Sequence, residues 1–112
     1  MRTYHINRTI IPMGKDHVIL VSGGQAHIGT QVCAIPYFNH DQWHVTLHIW
    51  NQIAHRDDEV AKRYASALAL HTHHTAICVC GIHYDDIQKD EINEILTWCD
   101  QDIEQMKKEV CI

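Results

Sequence analysis

Proline and glycine are scarce in this chain, two and five among 112 residues. Flexible linkers and low-complexity tracts are built from those residues, and none is found. Cations are also few. Nine Lys and Arg stand against fourteen Asp and Glu, for a net charge of −5 with histidine neutral. The cations are scattered, the longest run being Lys107-Lys108. A nucleic-acid binder concentrates positive charge on one patch, so DNA and RNA are excluded as expected partners. No apolar run approaches the ~18 residues that a membrane helix needs. The first residues, Met-Arg-Thr-Tyr-His-Ile-Asn-Arg, lack the apolar core of a secretory signal, and a cytoplasmic location is expected. The five cysteines form neither C-x-x-C nor a zinc-finger spacing. They read as reduced thiols, most of them buried as small hydrophobes.

What is present is an ordinary globular composition, with 46% hydrophobic and 21% charged residues. The length fits one domain, residues 1–112, and a chain of this size hides roughly 65% of its unfolded surface. The unusual feature is eleven histidines. Near pH ~6.5 about half of them carry charge, which offsets the acidic excess. Solubility is expected to be poorest slightly below neutral pH.

Periodicity orders the chain. Thr3–Ile11 alternates in the manner of a strand, and residues 12–16 carry a turn signal. His17–Ser22 is a short β-branched run. Residues 23–29 form a glycine-framed loop. Thr30–Phe38 is a third strand, residues 39–42 a turn, and Trp43–Trp50 a fourth strand. That last strand sets Val45, Leu47 and Ile49 on one face and His44, Thr46, His48 and Trp50 on the other. The period then becomes helical from Asp57 to about His71, with Val60, Ala61, Tyr64, Ala65, Leu68 and Ala69 in phase and acids in the first turn. Thr75–Ile82 is apolar on both faces and reads as a fully covered central strand. A final helix from about Lys89 to Val110 steps Ile92, Leu96, Cys99, Ile103, Met106 and Val110 as a heptad seam. That seam packs either on the sheet or in a dimeric coiled coil. The order β-β-β-β-α-β-α predicts an α+β two-layer domain. Its five-stranded sheet is mostly antiparallel, the first four strands form a meander, and two helices pack on the sheet.

Three places could carry chemistry. The loop Gly23-Gly24-x-x-His27-Ile28-Gly29 lacks P-loop spacing and precedes a strand, so it is a poor nucleotide motif. It is either a tight connection or a place where a ligand approaches the backbone beside His27. His55 precedes the acidic helix start, as an exposed residue or a site residue. Gly81-Ile82-His83-Tyr84-Asp85-Asp86 leaves the central strand and could orient His83 through Asp85. Strand ends are site positions in parallel sheets, a rule that an antiparallel sheet does not inherit. His71-x-His73-His74 is the densest histidine cluster and reads as a polar helix end. No metal site and no catalytic residue is assigned. Cys78 and Cys80 share one strand face among apolar neighbours and read as buried.

Gly24-x-x-His27-Ile28-Gly29, His55 ahead of the acidic, Ala-rich helix, and Gly81-Ile82-His83-x-Asp85 together resemble the LpdD-type family over roughly residues 15–100. That is the D subunit associated with bacterial gallate decarboxylase, described as a prenylated-flavin chaperone. The resemblance implies a fold like that of proteasome assembly chaperones, α+β domains that commonly dimerise, so a homodimer is allowed. It implies a non-enzymatic accessory protein carrying prenylated FMN. The cofactor-binding residues would be Gly24, His27, Ile28, Gly29, His55, His83 and Asp85. Trp43 and Trp50 would offer stacking surface or lie in the core. The partners would be an aromatic-acid, gallate-type decarboxylase and its flavin prenyltransferase. This chain departs from the pattern at Ala26, where proline is expected, and at Gln88-Lys89, which replaces a Thr-Pro helix start and weakens the cap. Two other readings compete: an assembly chaperone binding only a protein, and a small hydrolase or lyase using His27, His55, His83 and Asp85.

Overall fold

Two short turns begin the sheet. Gly14-Lys15 joins β1 (Ile6–Met13) to β2 (Asp16–Gly24), with Gly14 at φ 62°. His40-Asp41 joins β3 (Thr30–Asn39) to β4 (Gln42–Asn51), at φ 51° and 62°. Two-residue hairpins demand such left-handed positions because the turn must match the right-handed twist of the strands. α1 (Asp58–Thr72), β5 (Ala76–His83) and α2 (Lys89–Glu109) follow. The computed structural model describes residues 4–52 and 58–110.

The strands are ordered β1-β2-β5-β3-β4. The expected meander is thereby corrected: β5 inserts between the two hairpins, parallel to β2 and antiparallel to β3. The physical reason lies in residues 25–29. Five residues exceed a hairpin turn and suffice to step two strand spacings, about 10 Å, leaving a slot for another strand. The apolar β5 fills that slot after the α1 crossover. The sheet is mixed, with three antiparallel pairings and one parallel. The α+β class stands. Pro12 lies on the edge strand β1, and Pro36 lies beyond Ala34, the last β3 residue paired with β5. A missing N–H costs least at such positions.

Both helices cover one face. Ile19, Val21, Val32, Cys78 and Cys80 point into it and meet Tyr64 and Leu68 of α1 and Cys99 and Met106 of α2, all buried. Ala61, Ala65 and Ala69 are fully buried, and their small side chains let α1 approach the sheet closely. Most of the heptad seam of α2 is spent within the chain: Cys99, Ile103, Met106 and Val110 join this core, along with Ile95, and Leu96 packs against it, whereas Ile92 is exposed. At the start of α2 the Gln88 N–H donates to the Glu91 carboxylate at 3.0 Å. The cap is therefore firmer than the Gln-Lys start suggested. Cys78, Cys80 and Cys99 are buried and Cys33 is half-buried, whereas Cys111 lies outside the described residues.

The reading of β5 needs one amendment. It is central, but on it only the helix-facing residues and Gly81, which lies under residues 25–29, are covered. Ile77 and Val79, on the other side, remain half-buried. No helix among the described residues is long and apolar enough to cross a membrane.

Candidate functional site

The parallel pairing of β2 with β5 brings two strand carboxyl ends together, at Gly24 and His83. Between them the chain leaves β2, crosses β5 and enters β3. This is a local topological switch point, the position at which parallel sheets place ligands. The antiparallel premise on which that rule was set aside does not hold at this end of the sheet, because the two strands that meet here are parallel.

Residues 25–29 are laid on β5 by backbone hydrogen bonds. Gln25 N–H donates to His83 O and Gly29 N–H to Cys80 O, each at 3.0 Å, and Gln52 N–H donates to Gly29 O at 2.9 Å. Such a close approach requires missing side chains beneath. A Cβ on Gly81 would overlap the His27 carbonyl, and one on Gly24 would overlap the His83 carbonyl. Gly24 also sits at φ 64°, where side chains are disfavoured.

Two imidazoles face each other across this crossing. The His27 and His83 ring centroids are 6.3 Å apart at an interplanar angle of 82°, an edge-to-face arrangement. His27 Nδ1 lies 2.9 Å from Gln25 O. A carbonyl only accepts, so Nδ1 carries the proton and Nε2 of the neutral ring is the acceptor. His83 Nε2 lies 3.1 Å from Asp85 Oδ1. Asp85 is 79% exposed, so this pair is well solvated. Gln25, Ala26, His27 and His83 line an open cleft of about 330 Å³. Ile28, in the same loop, is 59% exposed.

The connection after β5 is braced against β1. Tyr84 Oη accepts from the His5 N–H at 2.9 Å, and its ring meets Tyr4 edge-on at 5.4 Å. The Tyr4 hydroxyl donates to Glu91 at 3.0 Å. Desolvation, together with the Glu91 carboxylate, pushes the Tyr4 phenol up to about 12.

Of the residues singled out from sequence, Gly24, His27, Ile28, Gly29, His83 and Asp85 are gathered at this one end of the sheet. His55 lies outside the described residues. Sequence reasoning missed Gln25 and Ala26 as cleft walls and Gly81 as the seat of the loop. The signal for Gly81 was present, as a glycine inside an otherwise apolar strand, which marks close backbone approach. The two tryptophans separate. Trp50 pairs with Gln31, beside the loop, whereas Trp43 pairs with Phe38 about 23 Å away along β4. Trp43 stacks on His73 at 3.8 Å and takes no part in the cleft. The histidine cluster likewise disperses, since His71 Nε2 donates to Val110 O at 3.0 Å. Among the described residues no group of three or more His, Cys, Asp and Glu could hold a metal ion.

The arrangement can seat a small polar group through its imidazoles, and it sets apolar surface at Ile28 and Trp50 on the same end. Its volume lies at the lower limit of small-molecule sites, so a larger ligand would rest partly on that outer surface.

A family model described as the prenylated flavin chaperone LpdD-like domain matches residues 1–111. The fold is similar to that in "Crystal Structure of a Novel Chaperone Complex for Yeast 20S Proteasome Assembly", with a TM-score of 0.59 at 10% identity over 96% of this chain and 98% of that one. At that identity the likeness is one of fold alone. Comparison with curated proteins finds no match.

Proposed function

This chain belongs to the prenylated flavin chaperone LpdD-like family, and we propose that it holds prenylated FMN as cargo in the cytoplasm. It would receive the cofactor from a flavin prenyltransferase and pass it to an aromatic-acid decarboxylase of the gallate type. The observation that carries this reading is the His27–His83 cleft, seated at a parallel strand end in a chain of that family. Gly24, His27, Ile28, Gly29, His83 and Asp85 are the residues of this chain that would bind, with His55 as a further candidate.

The chemistry of the cleft suits a carrier. His27 Nδ1 faces Gln25 O and His83 Nε2 faces Asp85, so the remaining nitrogen of each neutral ring accepts a hydrogen bond from the cargo and donates to its phosphate oxygen only when the ring is charged. An imidazole gains charge near pH ~6.5, so the hold on an anion strengthens on mild acidification. Exposed Ile28 and Trp50 give a planar ring an apolar resting place. An open cleft permits release, as delivery requires. The reactive chemistry would belong to the cargo and be exercised in the receiving enzyme.

The test is an anaerobic calorimetric titration of metal-stripped protein with FMN and with prenylated FMN. Saturable binding selective for the prenylated form is expected, weakened about tenfold or more in His27→Ala and in His83→Ala, the loss of roughly one charge-assisted hydrogen bond. If neither flavin binds, the carrier reading falls, and an assembly role toward a protein partner takes its place.

A further inference from the structure

The two edges of the sheet are built differently. In a two-residue hairpin the residues flanking the turn bond to each other, and every second residue beyond them bonds inward. The pair Met13 and Asp16 therefore turns the backbone groups of Ile6, Arg8, Ile10 and Pro12 outward on β1. The pair Asn39 and Gln42 turns those of Trp43, Val45, Leu47, Ile49 and Asn51 outward on β4. The Gln52 N–H, which donates to Gly29 O at 2.9 Å, keeps that alternation at the end of the strand.

β1 is blunted. Pro12 has no N–H to offer at its outward position, and Arg8 brings a charge held by Asp102 and Glu109. β4 carries neither device. It runs ten residues, Gln42–Asn51, without Pro, Lys, Arg, Asp or Glu. Among the described residues no strand pairs with its outer side. A long, uncharged edge is a template for another strand, and edges that stay unpaired are ordinarily protected.

We propose that the outer edge of β4 is a docking site for an extended segment of a partner protein, in which apolar and acidic residues alternate. The backbone sets the first requirement. A row of donors and acceptors repeating every second residue is matched by another extended backbone. The side chains set the second. On the helix side Val45 and Leu47 pack against the core, and Trp43 and Ile49 stand beside them 38% and 44% exposed, so an added strand meets apolar surface there. On the open face, opposite the helices, it meets His44, Thr46 and His48. His44 is tied through Nε2 to Asn39 O and stacked on Tyr37, whereas His48 is exposed. Across on β3 these imidazoles face the Tyr37 phenol and the Cys33 thiol, and neither β3 nor β4 contains an acid. A carboxylate on the added strand is the charge that fits. The edge ends beside the cleft, because Gln52 bonds to Gly29, so a docked partner lies next to whatever the cleft holds. The inference stands whether or not that is a flavin.

Amide hydrogen exchange on the full chain tests it, near pH ~6.5, where imidazoles are partly charged. The probe is a short acetylated peptide of alternating Val and Glu. Without it, the outward amides of Val45, Leu47 and Ile49 should exchange about tenfold or more faster than those of Thr46 and His48, which bond to β3. Saturating peptide should slow the three fast amides about tenfold. The same peptide N-methylated throughout keeps its side chains, loses its donors and should have no effect. A Val–Lys peptide should bind more weakly. Ile49→Pro removes one outward N–H where an edge tolerates proline, and should weaken binding about fivefold, the worth of roughly one hydrogen bond. No slowing with the Val–Glu peptide, or equal slowing with the N-methylated one, overturns the proposal. Equal binding of the Val–Lys peptide overturns its acidic part. Protection of Val45, Leu47 and Ile49 that grows with protein concentration in the absence of peptide would make a second copy the occupant, and the partner segment falls.

Discussion

Gly81 of β5 lies directly under the backbone of His27, so closely that a single methyl group on it would overlap the His27 carbonyl. This contact couples the two sequence segments that form the cleft. Gly81→Ala must lift residues 25–29 off the strand. The expected cost is about 2 kcal/mol, typical of forced overpacking. Urea denaturation should report that loss, and faster amide exchange should appear at Gln25 and Gly29. If stability and exchange are both unchanged, the loop does not rest on β5 in this way.

Arg8 is the second point of leverage. Its guanidinium is 9% exposed and forms two hydrogen bonds each to Asp102 and Glu109, at 2.9–3.0 Å. Asp102 also accepts from the buried Tyr64 hydroxyl at 2.8 Å. This cluster ties edge strand β1 to both helices. Arg8→Met leaves Asp102, 14% exposed, without its cation. A loss of about 2 kcal/mol is expected, below the range for fully buried pairs because Glu109 is open to water. In a double-mutant cycle with Tyr64→Phe the two losses should fail to add, because both act on Asp102.

Alkaline pH should weaken the fold through its tyrosines. Tyr4 is held up to about 12 by desolvation and by Glu91. Burial pushes Tyr64 up further, its contact with Asp102 acting in the same direction. A group whose folded pKa is raised contributes stability that is complete below its unfolded value, near ~10, and is lost as pH climbs toward the folded one. The unfolding free energy should therefore fall between about pH 10 and 12, and Tyr4→Phe should flatten that decline. An equally steep decline in Tyr4→Phe would remove Tyr4 as a source.

Thiol chemistry should separate the cysteines. Burial raises the Cys78 thiol, and it raises Cys99 to about 11. Cys33 is half-buried on the open face and is raised by burial and by Asp16. Disulfide reagents attack through the thiolate, so at pH ~8 Cys33 should react slowly and Cys78 and Cys99 only after unfolding. Peptide mapping of the labelled protein reads the order directly.

Much of the site was legible in the chain because it is marked by rare residues. Gly24, Gly29 and Gly81 stand out in a sequence with few glycines, and His27 and His83 sit beside them. Local patterning also located every strand and helix to within a few residues, since alternation and helical spacing are properties of contiguous sequence. What was not legible depends on pairing. Nothing local distinguishes a β2–β3 neighbour from a β2–β5 neighbour, so the meander was the simpler expectation. The ring of His27 meets that of His83 only because β5 enters the slot between the hairpins.

The sequence alone determined an α+β domain, its element order, a net negative charge with no long run of cations, and the glycine-framed histidines. These follow from composition and periodicity, which act over a few residues. Tertiary structure decided that β2 and β5 run in parallel, that their carboxyl ends form one cleft, that Trp50 belongs to that end and Trp43 does not, and that both helices pack on one face of the sheet. Those outcomes rest on hydrogen bonds and contacts between segments some sixty residues apart, such as Gly24 with His83. Spacing along the chain carries no record of such contacts.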